Sequence, residues 1–473
     1  LNLGLRWEYF PLVTRRDRPM EFLDLTTTLP CGDNSSSDCF QMVLDNEIDV
    51  SRRLFAPRVG FAYRLTGNDV LRSGYGITYS PIPFARPLRG AYPLTIAASW
   101  INSSAYIANF SLKGGIPLVT GPETAPGARI PLPRNVLHIT MPADEVTRGY
   151  VQSWNLTYER KLPLNLVASF AYVGNQTTHQ LAFQNLNWSS IGEGDRGRQL
   201  YPLSRQTIGY FDGWLSANYH SLQIDVTRRF VNGLFMKGVY TWGRSINMTD
   251  DEGYTGTAFS DPVLIPRNRA QSDFNRPHML RIAAIYELPL GKGMGWLHSL
   301  IRNWQVNSIF AIHQNVARSV GIVNFRAYPT PGNALTADQV NPMTKLGGIG
   351  AGDPYYDPAA FLPPDHPDNP NRRWPANGVC TYRDGNGNLI GTGPLNECYG
   401  NSGRNILRGP SWVNLDFALV RKFNLREDIS LEFRSELFNL ANTPHFNWNT
   451  GYAGHPSFGE IDASDGTRSE ERR

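Results

Sequence analysis

The sequence predicts an all-β protein, an antiparallel up-and-down β-barrel that crosses a membrane and carries long extracellular loops. Two observations lead to this fold class. Apolar and polar residues alternate with a period of two in eleven segments, and the links between consecutive segments are alternately short and long. A chain of 473 residues exceeds the usual size of one globular domain, although barrels often run longer as one unit.

The alternation begins with the first residues of the chain. Leu1, Leu3, Leu5, Trp7 and Tyr9 are apolar, and polar or small residues lie between them. Because successive side chains of a strand point to opposite faces, one face of this strand is apolar and the other is polar. The pattern recurs in ten further segments, whose apolar residues fall within 59–65, 71–79, 154–158, 164–172, 222–226, 234–242, 280–286, 304–312, 415–419 and 429–437.

The length of these segments favours a membrane barrel. With flanking residues most of them reach about nine to eleven residues, which is what a tilted strand needs to cross a bilayer, whereas ordinary strands average about five or six. Aromatic residues near the segment ends fit the girdles that such barrels place at the two membrane interfaces: Tyr158, Tyr172, Tyr240, Trp242 and Trp304.

The links between segments alternate in length. Short links lie at 66–69, 161–163, 231–233 and around Asn424, with a somewhat longer one at 288–303. Long links run over 11–56, 80–151, 174–218, 243–279 and 314–412. Outer-membrane barrels have short periplasmic turns and long external loops, which predicts this order. The alternative is a soluble, secreted β-rich sandwich. It accounts for the alternation of side chains but not for the alternation of the links.

The polar face of the predicted strands is strongly charged. A dry interior could not hold so many charges without a large desolvation cost, so the lumen should be wide and wet, or filled by a plug. A small barrel packed with its own side chains fits poorly. The charged residues of this face are Arg6, Glu8, Arg58, Arg64, Arg72, Glu159, Asp225, Arg281, Glu432, Arg434 and Glu436.

The four cysteines form two local pairs in polar stretches, Cys31 with Cys39 and Cys380 with Cys398. Zinc sites favour tighter spacings, so two loop disulfides formed in an oxidising compartment are the preferred interpretation. Four free thiols are the alternative.

The sequence contains no recognisable catalytic, cofactor-binding or metal-binding motif, so we expect no enzyme, no cofactor and no metal site. The nine histidines form no ligand cluster, no G-x-S-x-G elbow occurs, and Gly291–Gly295 lacks the end of a phosphate-binding loop. The acidic run Asp250-Asp251-Glu252 could hold calcium but fits a solvated loop better, and Asp384–Asn388 departs from a calcium loop after its first residues. The net charge of +4 implies no nucleic-acid partner.

Aromatic residues in the predicted loops have two interpretations. Trp100, Trp188, Trp214 and Trp374 could stack on sugars or peptides, or they could anchor the loops by local packing, which is the commoner role.

Several segments, taken in order, resemble one family. They are Arg58–Tyr63, Asp273–His278, Tyr355–Phe361, Gly400–Pro410, Asn414–Leu419 and Arg434–Phe446. This ordered set, which extends over nearly the whole chain, resembles the C-terminal barrel half of Oar-like TonB-dependent outer-membrane receptors.

The resemblance implies a barrel of 22 strands in the outer membrane of a Gram-negative cell, of which the eleven segments would be about half. It also implies a periplasmic plug and energy supplied by TonB. We expect the chain to be a fragment, with residues 1–458 as the barrel region and 459–473 as a polar tail outside it, and with the plug that contacts TonB missing.

The implied function is uptake or binding of an unknown substrate at the external face, with outer-membrane lipid around the barrel. The alternative function is passive surface adhesion or polymer binding without transport.

Overall fold

The structure is a computed structural model. It describes residues 1–30, 38–46, 49–81, 92–96, 108, 110–111, 113–115, 121–122, 124–133, 138–142, 145–202, 207–250, 256–290, 303–322, 331–424, 426, 428–447, 451–461 and 463–464.

Eleven long strands form one antiparallel sheet in sequence order, which we call the wall. All eleven predicted segments are confirmed as strands of this sheet, and the barrel-type fold class is confirmed with them. In the described residues β1 and β11 form the two edges, and the sheet is not closed. The strands are β1 (Asn2–Glu8), β2 (Leu54–Arg64), β3 (Asp69–Tyr79), β4 (Tyr150–Leu162), β5 (Leu166–Asn185), β6 (Ile208–Val231), β7 (Leu234–Asn247), β8 (His278–Glu287), β9 (Trp304–His313), β10 (Trp412–Asn424) and β11 (Ser430–Leu437).

The wall has one apolar face and one charged face. The apolar face carries large exposed side chains, including Leu3, Phe61, Leu156, Phe170 and Phe433. Exposed apolar side chains over so wide a sheet are what a hydrocarbon-facing surface requires. We call this the outward face.

The opposite, inward face holds the predicted charges, several of them in ion pairs across strands or within one strand. Arg72 lies 3.2 Å from Glu159 on β4, and Asp225 lies 3.1 Å from Lys237 on β7. On β11, Arg434 lies 2.8 Å from Glu432. Pairing neutralises neighbouring charges, so this face suits contact with water or with other polar groups.

Short turns join the wall strands at one end. Asn232 and Gly233 have φ angles of 53° and 75°, so the predicted primed hairpin turn is confirmed there. The neighbouring turn differs from the prediction. Leu164 was expected to begin a strand, but Leu164 and Asn165 have φ angles of 63° and 59° and form the turn itself. β5 therefore starts at Leu166.

At the other end two strands are far longer than expected. The segment 174–218 was predicted as a loop, but β5 and β6 remain paired from Leu166 opposite Arg228 up to Asn185 opposite Gly209. The true link between them is residues 186–207. The prediction was wrong because this part of the hairpin rises beyond the apolar zone, where neither face has to be continuously apolar.

The long links are not simple loops, because they fold into a cap of small sheets and short 3₁₀ helices over that end of the wall. A first group is a small sheet attached to β6 through His138–Pro142, which pairs with Ile208–Tyr210. Its strands are Met20–Pro30, Asp38–Asp45, Arg129–Pro131 and His138–Pro142.

The second group of the cap comes from the later links. Its three-stranded sheet consists of Arg373–Ala376, Val379–Arg383 and Leu389–Pro394. Two-residue strands lie at Ala270–Gln271, Ala317–Arg318, Gly321–Ile322, Asp338–Gln339, Phe361–Leu362, Leu407–Arg408, Phe446–Asn447, Tyr452–Ala453 and Ala463–Ser464. The 3₁₀ helices are Gly194–Gly197, Ile265–Asn268, Pro358–Ala360 and Leu395–Cys398.

The main hydrophobic core of the described residues lies in this cap. Phe259, Phe361 and Phe458, from three separate parts of the chain, are almost completely buried together. Ile461 belongs to the same core and is 2% exposed. Just after residue 458, the backbone oxygens of Gly459 and Ile461 accept hydrogen bonds from the N–H groups of Tyr355 and Gly350 in the cap, at 2.8 Å and 2.9 Å.

Among the described residues, none of the helices is long and apolar enough to cross a bilayer.

Candidate binding cavity between wall and cap

A cavity of about 820 Å³ lies where the cap meets the inward face of the wall. It is framed by the cap-side ends of β5, β6 and β7 and by the segment that leads into β8. This size matches the range in which proteins bind small molecules. Its lining includes Asn175, Thr177, Gln180, Tyr219, Ser245, Asn247, Thr249, Asp250, Phe274, Asn275, Arg276 and Met279.

The lining combines neutral hydrogen-bonding groups with apolar and aromatic side chains, among them Leu181, Phe274 and Met279. Tyr219 lies directly opposite Asn175 on the neighbouring strand, and Phe274 is 58% exposed at the cavity. The Oε1 atom of Gln180 is buried and accepts no hydrogen bond from any described group. A ligand with its own donors could satisfy that oxygen, so the surface suits a polar molecule with hydroxyl or amide groups.

Asp250 organises one side of the cavity. It accepts hydrogen bonds from Asn247 at 3.0 Å, from the backbone N–H of Asp273 at 2.8 Å and from Asn405 at 3.1 Å, and it forms an ion pair with Arg404. One carboxylate thus joins the end of β7, the link before β8 and a segment more than 150 residues later. The acidic run predicted as a solvated loop is therefore, at Asp250, a structural junction.

Arg404 and Arg408 connect the cap to the wall. Arg404 donates to the backbone oxygens of Asn268 at 3.0 Å and Asn247 at 2.8 Å, and its side chain is 9% exposed. Arg408 donates to the backbone oxygens of Asn275 at 2.7 Å and Asn315 at 2.9 Å. We call Gly400–Pro410, which contains both arginines, the strap.

Electrostatics at the junction follow from burial. Burial raises the pKa of the Asp273 carboxyl, and the nearby Asp250 carboxylate raises it further. Burial lowers the pKa of the Arg404 guanidinium, while Asp250 opposes that change. Removing either partner of a buried ion pair destabilises the folded protein strongly, because the other charge is left buried and unpaired. The junction is thus the point at which a single substitution should loosen the cap.

The segment Asp273–His278 lines one side of the cavity. The Asn275 side chain accepts from the backbone N–H of Ser245 at 3.0 Å and donates to Gln271 at 3.0 Å, so it is fixed and 4% exposed. The backbone oxygen of Pro277 accepts from Gly243 at 2.9 Å. These contacts hold Phe274 at the cavity.

At the paired ends of β9 and β10, three rings stack on one another. His313 and Trp412 have ring centroids 4.9 Å apart, and Trp412 and His445 have centroids 4.6 Å apart. His445 is held by the backbone oxygen of Val413 at 3.0 Å. This stack ties β9 and β10 to the link that follows β11.

The predicted site residues have different places. The structure contains a disulfide between Cys380 and Cys398, inside the cap core. Cys39 is also disulfide-bonded, and Cys31 lies outside the described residues. The Asp384 carboxylate accepts from the backbone N–H groups of Asn386 at 2.9 Å and Asn388 at 2.8 Å, as in a Gly/Asn turn. Within the described part of the chain, no cluster of His, Cys, Asp and Glu has the arrangement of a metal site.

The loop aromatics are not gathered at the cavity. Trp374 packs against the cap core, and Trp214 donates to the backbone oxygen of Ala182 at 3.4 Å. Trp100, Asp251, Glu252 and Gly291–Gly295 lie outside the described residues. Sequence inspection missed Tyr219, Phe274 and Gln180. The alternation of Ala217, Tyr219 and Ser221 on the inward face of β6 was the one available signal.

A family model described as "Outer membrane beta barrel domain" matches residues 1–473. No protein in the curated set matches the chain.

Similar solved structures include the outer membrane transporter YddB from Escherichia coli, at 10% identity, TM-score 0.41, 86% of this chain and 38% of that one. The siderophore receptor PiuA from Acinetobacter baumannii has 10% identity and TM-score 0.37 over 93% of this chain and 36% of that one. The ferric enterobactin receptor PfeA from Pseudomonas aeruginosa has 10% identity and TM-score 0.38 over 87% and 37%. The chain thus spans less than two fifths of the length of these structures.

Proposed function

The chain belongs to the outer membrane β-barrel domain family, and from that premise we propose that it forms wall and cap of a receptor that binds a substrate at the cell surface and imports it with energy from TonB. The observation that carries the proposal is the cavity of about 820 Å³ beneath the cap, with its mixed polar and apolar lining. A receptor needs a shaped, mostly preformed site at the end of the barrel that meets the substrate.

Orientation is part of the proposal. The cap, built from the long links, faces the exterior, and the short turns face the periplasm, as in other outer-membrane barrels. Val263 offers a test, because it lies in the cap and is 64% exposed. A cysteine at Val263 should react with a membrane-impermeant maleimide on intact cells. Labelling only after the cells are lysed would contradict the orientation.

The contacts of the strap suggest that the cap does more than cover the cavity and also takes part in transport. Gly400–Pro410 is one of the segments by which the sequence resembles Oar-like TonB-dependent receptors, and its arginines border the cavity through Asp250 and Asn275. A cap bonded to the cavity wall in this way couples substrate contact to the position of the strap. Energy-coupled uptake is proposed on that basis and on the family resemblance.

Substrate uptake can be tested without knowing the substrate. Asn175→Trp places a large ring in the cavity, and the adjacent Gln176→Trp places the same ring on the outward face as a matched control. Cells of the native host carrying Asn175→Trp should leave the same compounds unconsumed in spent medium as cells lacking the gene. Identical media from wild-type and Asn175→Trp cells would refute a role for the cavity in uptake.

Passive surface adhesion or polymer binding is the second candidate, favoured by the size of the cap. The two functions differ in their need for energy. Deletion of TonB should abolish compound depletion if the protein transports, and should leave surface attachment unchanged if the protein only binds.

A further inference from the structure

A group of basic and aromatic side chains lies on the outward face near the cap-side border of the apolar zone. We call it the girdle patch and define it as His220, Arg244, Arg269 and His278 together with Trp154, Tyr172, Tyr240 and Trp242. Charged groups on the outward face of a barrel are costly near the bilayer centre and tolerated near its interfaces. The height of the patch therefore decides whether it can meet lipid head groups.

The strand geometry places His220 and Arg244 of the patch at the interface, with Tyr172 and Tyr240 lower on the outward face. From Val231, beside the short turn, to His220 the chain makes eleven residue steps. At about 3.3 Å per residue and a tilt of about 40°, these steps rise roughly 28 Å. Ten steps from Leu234 place Arg244 at roughly 25 Å. The apolar band of such barrels is about 25 Å tall, so both residues lie at its far edge.

The two histidines are held in the same way. Tyr172 Oη lies 2.8 Å from His220 Nδ1, and Tyr240 Oη lies 2.8 Å from His278 Nδ1. Each imidazole also lies beside a second aromatic ring, His220 beside Trp154 at 6.0 Å and His278 beside Trp242 at 6.4 Å between centroids. A hydrogen bond at Nδ1 fixes each ring and leaves Nε2 available to an external group.

The arginines stand beside these histidines. Arg244 lies directly opposite His220 in the register of β6 and β7, and Trp242 lies directly opposite His278 in the register of β7 and β8. Arg269 is anchored above them by a 2.8 Å hydrogen bond to Asn218. His220, Arg244, Arg269 and His278 are all exposed.

Among the residues that the structure describes, the patch has no acidic partner at the neighbouring outward positions. The outward positions of β5–β8 at this level, which the strand register defines, are Gln176, Asn218, His220, Arg244, Ile246 and His278. Within the described chain, none of these positions carries a carboxylate. Two guanidinium groups and two imidazoles next to an aromatic girdle can form charge-assisted hydrogen bonds with an anionic head group at the membrane surface.

We propose that the girdle patch binds the phosphate groups of a phosphorylated glycolipid of the outer leaflet, the lipid A class. Arg244 and Arg269 pair with phosphate oxygens, His220 and His278 donate from Nε2, and Trp242 and the tyrosines lie against the sugar and acyl border. The assignment rests on the proposed orientation, which puts the cap end of the wall at the outer leaflet.

The test uses the full chain in phosphatidylcholine vesicles that contain a trace of either bisphosphorylated lipid A or chemically dephosphorylated lipid A. Purification in mild detergent is followed by mass spectrometry of the retained lipid. We expect selective retention of the bisphosphorylated form. Arg244→Gln should reduce that retention roughly fivefold, since one basic group near a charged membrane surface contributes about that factor.

Arg229→Gln is the matched control, because it removes the same charge from β6 near the short turn. It should leave retention unchanged, and heat-modifiable gel migration confirms that both variants are folded. Equal retention of the two lipids by the wild-type chain, or equal losses in Arg244→Gln and Arg229→Gln, would overturn the assignment.

Failure of the orientation is separately visible. If Val263→Cys is labelled only in lysed cells while bisphosphorylated lipid A is still selected, the orientation is wrong and the phosphate chemistry of the patch stands.

Discussion

Replacing Phe170 by arginine tests the two-faced wall through its energetics. Phe170 lies on the outward face of β5 and is 43% exposed. It stands four residue steps from Leu166, roughly 10 Å above the short turn and thus inside the apolar band. An arginine at such depth costs about 2–4 kcal/mol, which lowers the ratio of folded to unfolded protein roughly 30- to 700-fold.

Ser169→Arg provides a control one residue away. Ser169 faces inward and lies opposite Glu159 on β4 and Asp225 on β6. A new cation there lies beside two carboxylates, already paired with Arg72 and Lys237, and faces an aqueous or polar lumen, so its cost should be far below that of Phe170→Arg. The free energy of unfolding is measured by urea titration in lipid vesicles, followed by tryptophan fluorescence. The reasoning is refuted if Ser169→Arg destabilises the protein as much as Phe170→Arg does.

Three further predictions concern the cap. Arg404→Gln should leave the Asp250 carboxylate without its cation and lower the stability of the cap by about 3–5 kcal/mol. Trypsin should then cleave the cap faster, while the wall keeps its heat-modifiable gel migration. Unchanged cleavage would contradict the stabilising role of the Asp250–Arg404 pair. Replacing both Cys380 and Cys398 by serine should cost about 3 kcal/mol, because their disulfide spans 18 residues, and a thermal transition equal to that of the wild type would argue against this contribution. Burial alone would raise the pKa of Asp24, but hydrogen bonds from Thr26, Thr27 and Arg129 lower it from 3.8 to about 2. About 2 kcal/mol of folding stability is therefore present above pH 3.8 and is lost as the pH falls towards 2. Asp24→Asn should flatten this part of the curve of unfolding free energy against pH, and an unchanged slope would show that the carboxylate is not the cause.

The wall was predictable because the bilayer imposes its pattern locally. Each residue such as Leu156 or Phe433 faces hydrocarbon on its own, so the alternation is visible in the sequence of one strand. The turn at Asn232-Gly233 was predictable for the same local reason, since both residues tolerate positive φ. Leu164 at positive φ was not predictable, because leucine carries no preference for that conformation.

The cap and the cavity could not be predicted, because their contacts join distant parts of the chain. Asp250 and Arg404 are separated by 154 residues, and no local sequence pattern around either residue predicts that they pair. The cap-side parts of β5 and β6 could not be predicted as strands, because water and the cap, rather than lipid, surround them and no alternation of apolar residues is required there. Only the ordered family-like segments pointed to this region, and the structure shows that the strap among them bonds cap to wall.

The most direct test of the central claim, that the wall shows one face to hydrocarbon and the other to a polar lumen, is a scan of spin labels along β8. Single labels at Met279 to Tyr286 are compared in lipid vesicles for collisions with oxygen, which concentrates in lipid, and with a water-soluble nickel chelate. The structure predicts high oxygen contact at Leu280, Ile282, Ala284 and Tyr286, and high chelate contact or protection by the cap at the positions between them. Oxygen and chelate contact that do not alternate along β8 would contradict the claim.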